Sequence, residues 1–110
     1  MGIMQSKFFP IDTLERKRAD SGNRYLEFLR ISALSAGLYV LAAGANDPQK
    51  PHNQDELYYV IRGRARLKAG EQDQEVSAGS VIFVAAKVEH RFYDIGEELA
   101  VLVFFAPAES

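Results

Sequence analysis

The chain has 110 residues, no cysteine and a formal net charge of -2. This length is typical of one domain that buries a hydrophobic core without disulfide bonds or cysteine-bound metal. The 13 basic and 15 acidic residues are interspersed, so no general attraction to nucleic acid or to an anionic membrane is expected.

Residues 1–22 are predicted to form a segment that precedes the main body of the domain. They contain no apolar run of the length that a signal peptide or a membrane span requires, which favours a cytoplasmic protein. Asp12 and Glu15 have the spacing of a capping box and predict a short helix over Thr13–Ala19. A turn is predicted at residues 21–23, where serine, glycine and asparagine follow one another.

The rest of the chain consists of short apolar runs separated by turn residues. Many short strands with regular turn signals are typical of an antiparallel sandwich or barrel. The sequence therefore predicts an all-β domain over residues 1–110, with a β-barrel at 23–107 after the N-terminal segment. The predicted strands are 25–31, 37–42, 57–61, 64–68, 75–76, 81–84, 90–93 and 99–105, and turns are predicted at Gly63 and Gly70.

Two of these runs, 57–61 and 99–105, are apolar on both faces. In a single antiparallel sandwich, one face of each strand normally meets water. A second layer must therefore cover part of the outer surface, and either the N-terminal segment or another subunit could provide it. We expect a homodimer.

The middle of the chain contains two motifs of glycine, histidine and glutamate. The first motif, G-x5-H-x-H-x3 or x4-E-x6-G, is matched by Gly44, His52, Glu56 and Gly63, and its first histidine position holds Lys50. A spacer of 15 residues separates this motif from the second one.

The second motif, G-x5-P-x-G-x2-H-x3-N, keeps Gly79 and His90. Ala85, Lys87 and Asp94 stand at its proline, glycine and asparagine positions. On these two motifs the sequence resembles the cupins, a family of small jelly-roll barrels. The resemblance implies an antiparallel double-stranded β-helix, which accommodates a short N-terminal helix. The same fold hosts many functions, so function has to be argued from the site.

The resemblance assigns His52, Glu56 and His90 to three of the four metal-ligand positions of the family. Two imidazoles and one carboxylate suit one divalent transition metal, such as Fe, Mn, Ni or Zn. The implied function is a metal-binding protein whose pocket takes a small oxygen-bearing organic ligand, as in an enzyme of the dioxygenase or isomerase type. The alternative is a non-catalytic binding or sensor module, without metal if Lys50 has replaced the site.

Lys50 is the departure from the family pattern, because a protonated ammonium cannot bind a metal and is repelled by one. Three arrangements are open. Lys50 turns outward and leaves a three-ligand site, or it pairs with Glu56 in a metal-free pocket for an anion, or it is desolvated and acts as a base. The first is favoured, since a lysine beside Pro51 in a loop reaches water easily.

Strand alternation and loop position nominate further pocket residues. Gln54 is a candidate substitute ligand or a donor to the ligands, and Tyr58 could place its hydroxyl near a bound substrate. The competing interpretation for the aromatic candidates is ordinary core packing. No residue is singled out as catalytic, and the pocket candidates are Lys50, Gln54, Tyr58, Phe92 and Tyr39.

Overall fold

The computed structural model describes residues 5–110, which form one helix followed by one antiparallel sheet. The elements are α1 (Ile11–Ser21), β1 (Tyr25–Ile31), β2 (Leu34–Leu41), β3 (Asp55–Ala69), β4 (Gln72–Ser77), β5 (Val81–Val84) and β6 (His90–Ala106). The sheet order is β1-β2-β6-β3-β4, and β5 pairs with β3. This confirms the prediction of an antiparallel all-β fold with one N-terminal helix, whereas residues 1–4 of the predicted segment lie outside the described part.

Helix α1 begins earlier than the capping-box spacing predicted. The amide of Leu14 donates to the carbonyl of Pro10 at 3.1 Å, so the first turn starts at Pro10. The carboxylate of Asp12 accepts instead from the adjacent Thr13 amide at 2.8 Å. The helix thus starts two residues before the predicted start at about Thr13, because Ile11 is its first helical residue and the extended Pro10 before it is the N-cap.

Helix α1 covers one outer part of the sheet. Leu14 is 3% exposed and packs with a small cluster of sheet residues, Leu38, Val40 and Ala100. Arg62 on β3 links the helix to the sheet by ion pairs to Glu15 at 2.7 Å and to Glu98 at 2.6 Å. The N-terminal segment thus supplies part of the second layer that was expected to cover the strands with two apolar faces.

Strands β3 and β6 are each longer than the sequence indicated. The runs 57–61 and 64–68 were predicted as two strands with a turn at Gly63, but they form one strand of 15 residues. The runs 90–93 and 99–105 likewise join in one strand of 17 residues. The predicted turn at Gly63 was wrong because this glycine sits within the strand at φ 95°, where the pairing register shifts. Such bulges bend a strand without ending it.

This bend brings the two ends of the β3–β6 pair together. A straight strand of the length of β3 would span roughly 45 Å. His90 pairs with Ala69 at the far end of β3, and yet its side chain lies 3.1 Å from Glu56 near the start of the same strand. The pair must therefore fold back on itself, and Gly63 lies at the irregular region where it does so.

The folded-back sheet encloses the main core. Side chains alternate along β3, so Ala65 and Leu67 are buried while Arg64 and Lys68 on the opposite face are exposed. The acidic site candidate Glu56 is 2% exposed, and the basic site candidate His90 is 6% exposed. The largest completely buried apolar side chains of this core are Tyr58, Phe92, Leu41, Leu99, Val60 and Val101.

No helix among residues 5–110 combines the length and the apolar character that crossing a membrane would require.

Candidate metal centre

Three predicted ligands from distant parts of the sequence meet at one point. His52 comes from the loop before β3, Glu56 is the second residue of β3, and His90 is the first residue of β6. One donor atom from each lies within 4.8 Å of the others. The side chains of Glu56 and His90 are 1% exposed and that of His52 is 21% exposed. This group could hold a metal ion.

His90 presents one nitrogen to the protein and the other to Glu56. Its Nδ1 lies 2.8 Å from the carbonyl oxygen of Val88, which can only accept, so Nδ1 carries the proton of a neutral ring. Its Nε2 then directs a lone pair at Glu56 Oε1, 3.1 Å away. That distance suits an ion pair, but the alignment is not that of a hydrogen bond. Within residues 5–110, both Glu56 carboxylate oxygens and His90 Nε2 are buried without a hydrogen-bond partner.

The electrostatics of this pair favour a cation. Burial lowers the pKa of His90, but the Glu56 carboxylate and the Val88 carbonyl outweigh burial and raise the pKa above its ordinary value. Burial also raises the pKa of the neighbouring Tyr58 hydroxyl, and the charge of Glu56 adds to this effect. Tyr58 therefore stays a protonated donor. The Glu56 carboxylate draws positive charge toward the buried space between itself and His90.

The geometry of the donors fits a divalent transition metal. With metal–ligand bonds of about 2.0–2.2 Å, two ligands at right angles are about 3.0 Å apart. The separation of 3.1 Å between His90 Nε2 and Glu56 Oε1 agrees with this value. Buried polar atoms without partners are costly, and a shared cation would satisfy all of these atoms at once.

His52 is held on both sides by residues that the sequence analysis missed. Its Nδ1 lies 3.1 Å from a carboxylate oxygen of Glu109, and its Nε2 lies 3.2 Å from Oε1 of Gln49. Gln49 directly precedes Lys50, which stands at the first histidine position of the motif. This proximity in the sequence could have indicated that Gln49 lies near the site. Glu109 follows β6 at the end of the described chain, and no local pattern connects it with His52.

A small cavity of about 160 Å³ opens beside His52 and Glu56. Aromatic rings and polar groups share its wall, which suits a small ligand that carries both carbon and oxygen. The wall includes Tyr25, Tyr39, Gln49, Phe105 and Glu109.

The other pocket candidates lie in different surroundings. Tyr39 lines the cavity and donates to Asp47 at 2.6 Å, while Tyr58 is buried and donates to Gln49 at 3.2 Å. Phe92 is fully buried in the core, with its ring centroid 5.0 Å from that of Tyr58.

Lys50 and Gln54 do not line the cavity beside His52. Lys50 is exposed and lines a polar depression together with Lys68, Glu89 and His90. Gln54 is buried and donates to the hydroxyl of Ser110 at 2.9 Å. Among the described residues Lys50 makes no ion pair with Glu56, which agrees with the exposed arrangement rather than with the paired one.

A family model for the cupin domain matches residues 37–106, and this range contains all three donors and both long strands. The chain belongs to the cupin family. An uncharacterized protein of Streptomyces coelicolor is 50% identical over 104 residues, which cover 94% of this chain and 99% of that protein.

Solved structures agree with this cupin at the level of the fold. A protein from Bacillus halodurans has a TM-score of 0.77 at 20% identity, over 94% of this chain and 82% of its own. An RmlC-like cupin family protein with a double-stranded β-helix from Methanocaldococcus jannaschii has a TM-score of 0.69 at 20% identity, over 76% and 78% of the two chains. The fold prediction is confirmed.

Tyr25 gives the cavity of this cupin a hydroxyl group that makes no hydrogen bond within the described part of the chain. Its ring lies against Gly37, where an added Cβ would be 2.2 Å from the ring. Its hydroxyl is buried and has no hydrogen-bond partner among residues 5–110. Burial, reinforced by the charge of Glu109, raises the pKa of Tyr25 well above its ordinary value, so the group is a donor.

The two cavity tyrosines should therefore respond in opposite ways to loss of the hydroxyl. Tyr39→Phe should lower the free energy of unfolding by about 1–3 kcal/mol, because the buried Asp47 carboxylate loses a hydrogen bond. Tyr25→Phe should leave it unchanged or raise it by up to about 1 kcal/mol, because an unpaired buried hydroxyl is removed. Urea denaturation of both variants measures this difference. An equal loss in Tyr25→Phe would show that its hydroxyl is paired in the folded protein.

Proposed function

We propose that this cupin binds one divalent transition metal through His52, Glu56 and His90, and that the loaded site acts on a small oxygen-bearing organic ligand. The observation that carries the proposal is the cluster of buried donor atoms without hydrogen-bond partners in the described chain, namely both Glu56 oxygens and His90 Nε2. Fe, Mn, Ni and Zn all suit two imidazoles and one carboxylate. The enzyme we favour is of the dioxygenase or isomerase type.

Such a metal supplies Lewis acidity toward a bound oxygen atom, and iron adds redox chemistry. The protein's own residues would position the ligand and manage its proton. Tyr25 has a free donor hydroxyl on the cavity wall, which would orient a ligand oxygen. Glu109 lies on the same wall beside His52, where its carboxylate could accept a proton from a bound ligand.

A non-catalytic binding or sensor module is the second candidate. It is favoured by Lys50, which stands at the first histidine position of the family motif and is exposed. With this ligand position changed, the cavity could still hold a small molecule between Tyr25, Tyr39 and Phe105. Binding without turnover, or equal ligand binding with and without metal, would favour this module over an enzyme.

The direct test is elemental analysis of the protein purified without a histidine tag or a chelator. Near-stoichiometric metal per chain is the expected result, and it would direct a turnover screen to small carboxylates, hydroxy acids and carbonyl compounds. No bound metal after reconstitution with iron, zinc, nickel and manganese would contradict the proposal. The metal-free binding module would then be the remaining candidate function.

We also propose that two copies of this cupin associate through the outer face of β3 and β5. Leu57 and Tyr59 are each 40% exposed, and Val81 and Phe83 are 62% and 63% exposed. Leu57 pairs with Phe83, and Tyr59 with Val81, so these four residues form one apolar patch. A two-fold axis brings the same patch of both copies together, and an apolar patch is complementary to itself.

Phe83→Lys should shift this cupin toward a monomer. In a symmetric dimer this one substitution places a positive charge in the patch of both copies. We therefore expect the dimer dissociation constant to rise at least about tenfold. Phe8→Lys is the matched control, because Phe8 is 92% exposed and lies outside the patch. Light scattering after size exclusion measures the mass over a range of concentrations. A wild-type monomer at all concentrations, or a dimer that survives Phe83→Lys, would contradict this proposal.

A further inference from the structure

The polar depression that Lys50 lines has a volume of about 420 Å³ and three cationic side chains in its wall. Lys50 comes from the loop before β3, Lys68 is the second-last residue of β3, and Arg91 is the second residue of β6. All three are exposed. Glu89 is the only acidic residue of this wall among residues 5–110. With a neutral His90, the wall therefore carries three positive charges and one negative charge.

The strand register places two of these cations directly opposite each other. Lys68 on β3 pairs with Arg91 on β6 in the antiparallel ladder. Residues that pair in this way share one face of the sheet, and their Cβ atoms are about 4.5–5.5 Å apart. Like charges directly opposite each other destabilise a sheet. The fold therefore holds these two positive charges together at a cost in free energy.

The acidic residues nearby do not neutralise this charge. On its other side Lys68 pairs with Asp73 of β4. The Asp73 carboxylate, however, lies 3.1 Å from Nε of Arg66 and also accepts a hydrogen bond from the Tyr93 hydroxyl. Within residues 5–110, no carboxylate lies within 4.0 Å of a side-chain nitrogen of the three cations in the wall. All three are thus available to a ligand.

Arg91 is oriented by an aromatic ring. Its guanidinium carbon lies 5.2 Å from the ring centroid of Tyr93, two residues further along β6. A guanidinium stacked on a ring keeps the N–H donors at its edge free, and these donors match the spacing of two oxygens of a carboxylate or a phosphate. The contact restricts Arg91 before any ligand is bound, which lowers the entropic cost of binding.

We propose that this depression binds a small dianion through Lys50, Lys68 and Arg91. Two negative charges on oxygen atoms balance the surplus of positive charge in the wall. A phosphate group, with a charge of about -1.5 to -2 at pH 7, and a dicarboxylate share this chemistry. Depressions of this volume are typical of small-molecule sites. The site goes beyond the proposed function, because it requires no metal and is distinct from the cavity beside His52.

Two variants and one matched control test this site. Lys68→Gln and Arg91→Gln each remove one positive charge from the depression. Arg64→Gln changes the net charge by the same amount, but Arg64 is exposed on the same strand face outside the depression. Phosphate, malonate and acetate are titrated into the metal-free protein at constant ionic strength. Amide chemical shifts give the dissociation constants, and circular dichroism establishes that each variant is folded. Without metal, neither dianion can act through the proposed metal site.

We expect phosphate and malonate to bind saturably, with the largest shifts at residues 50, 68–70 and 89–91, and acetate to bind more weakly. Lys68→Gln and Arg91→Gln should each weaken dianion binding about tenfold, and Arg64→Gln should leave it unchanged. Tighter phosphate binding would identify a phosphoryl ligand, and tighter malonate binding a dicarboxylate; either result supports the site. If one variant does not fold, the other decides.

Equal weakening in Arg64→Gln would overturn the proposal, since it would show a general attraction to the charged surface. Acetate binding as tight as that of malonate, or no saturable binding of either dianion, would also overturn it. None of these results bears on whether the protein binds a metal, which elemental analysis decides separately.

Discussion

Glu56→Gln should eliminate the rise in melting temperature that a divalent metal gives the wild-type protein. At a metal concentration of 100 times the dissociation constant, binding stabilises the folded state by about 2.7 kcal/mol. For a chain of 110 residues, this corresponds to a rise on the order of 10 °C. An amide in place of the buried carboxylate loses the charge that offsets the metal, so binding should fall below detection. Thermal melting with and without Mn(II) or Zn(II) measures the effect.

The same substitution at Glu75 is the control, because Glu75 is exposed on β4. Glu75→Gln should retain the full metal-induced rise. Metal-free Glu56→Gln should remain folded, since glutamine has the shape of glutamate and avoids burying a charge without a hydrogen bond. A metal-induced rise of wild-type size in Glu56→Gln would show that Glu56 is not a ligand.

Gly63→Ala should lower the free energy of unfolding by about 2–5 kcal/mol. The backbone of Gly63 is at φ 95°, a region that costs a residue with a Cβ about 1–2 kcal/mol. A Cβ there would also lie 2.2 Å from the carbonyl oxygen of Glu98, and relieving such overpacking costs about 1–3 kcal/mol. The measurement is urea denaturation of the metal-free protein.

Gly79→Ala separates the two contributions. Gly79 has nearly the same backbone angle, φ 93°, but an added Cβ would meet no atom within 4 Å. It should therefore cost only the conformational part, about 1–2 kcal/mol. Gly63→Ala should also weaken metal binding, because the bend of β3 brings Glu56 to His90, whereas Gly79→Ala should not. Equal losses of stability in the two variants would mean that the chain relaxes away from Glu98 at no cost.

The three central donors could be predicted because two sequence motifs resemble the cupin pattern, and this resemblance assigned His52, Glu56 and His90 to ligand positions. The three side chains meet at one point, although they come from a loop and two different strands. Gly63 was misread for a physical reason, since a glycine with positive φ serves equally well in a turn and in a bulge. Periodicity alone could not tell one bent strand from two short ones.

Contacts between distant segments account for what the sequence could not provide. Gln49 reaches the site because Asp47 is bound by Phe92, which is 45 residues further along the chain. Glu109 reaches His52 through the path of the chain after β6, which no local pattern encodes. Lys50 and Gln49 are neighbours, and the hydrogen bond to Asp47 holds Gln49 at the cavity wall while Lys50 is exposed.

The segment after β6 forms a part of the cavity wall that can change separately from the barrel. Residues 107–110 are held by contacts of Ala108 with Ser32, Glu109 with Ser35, and Ser110 with Gln54, and not by strand pairing. Substitutions at Glu109 would alter the charge of the ligand space and the support of His52, while the barrel core stays as it is. Related chains could thus diverge in the molecules they accept through a few residues of this tail, at little cost to folding.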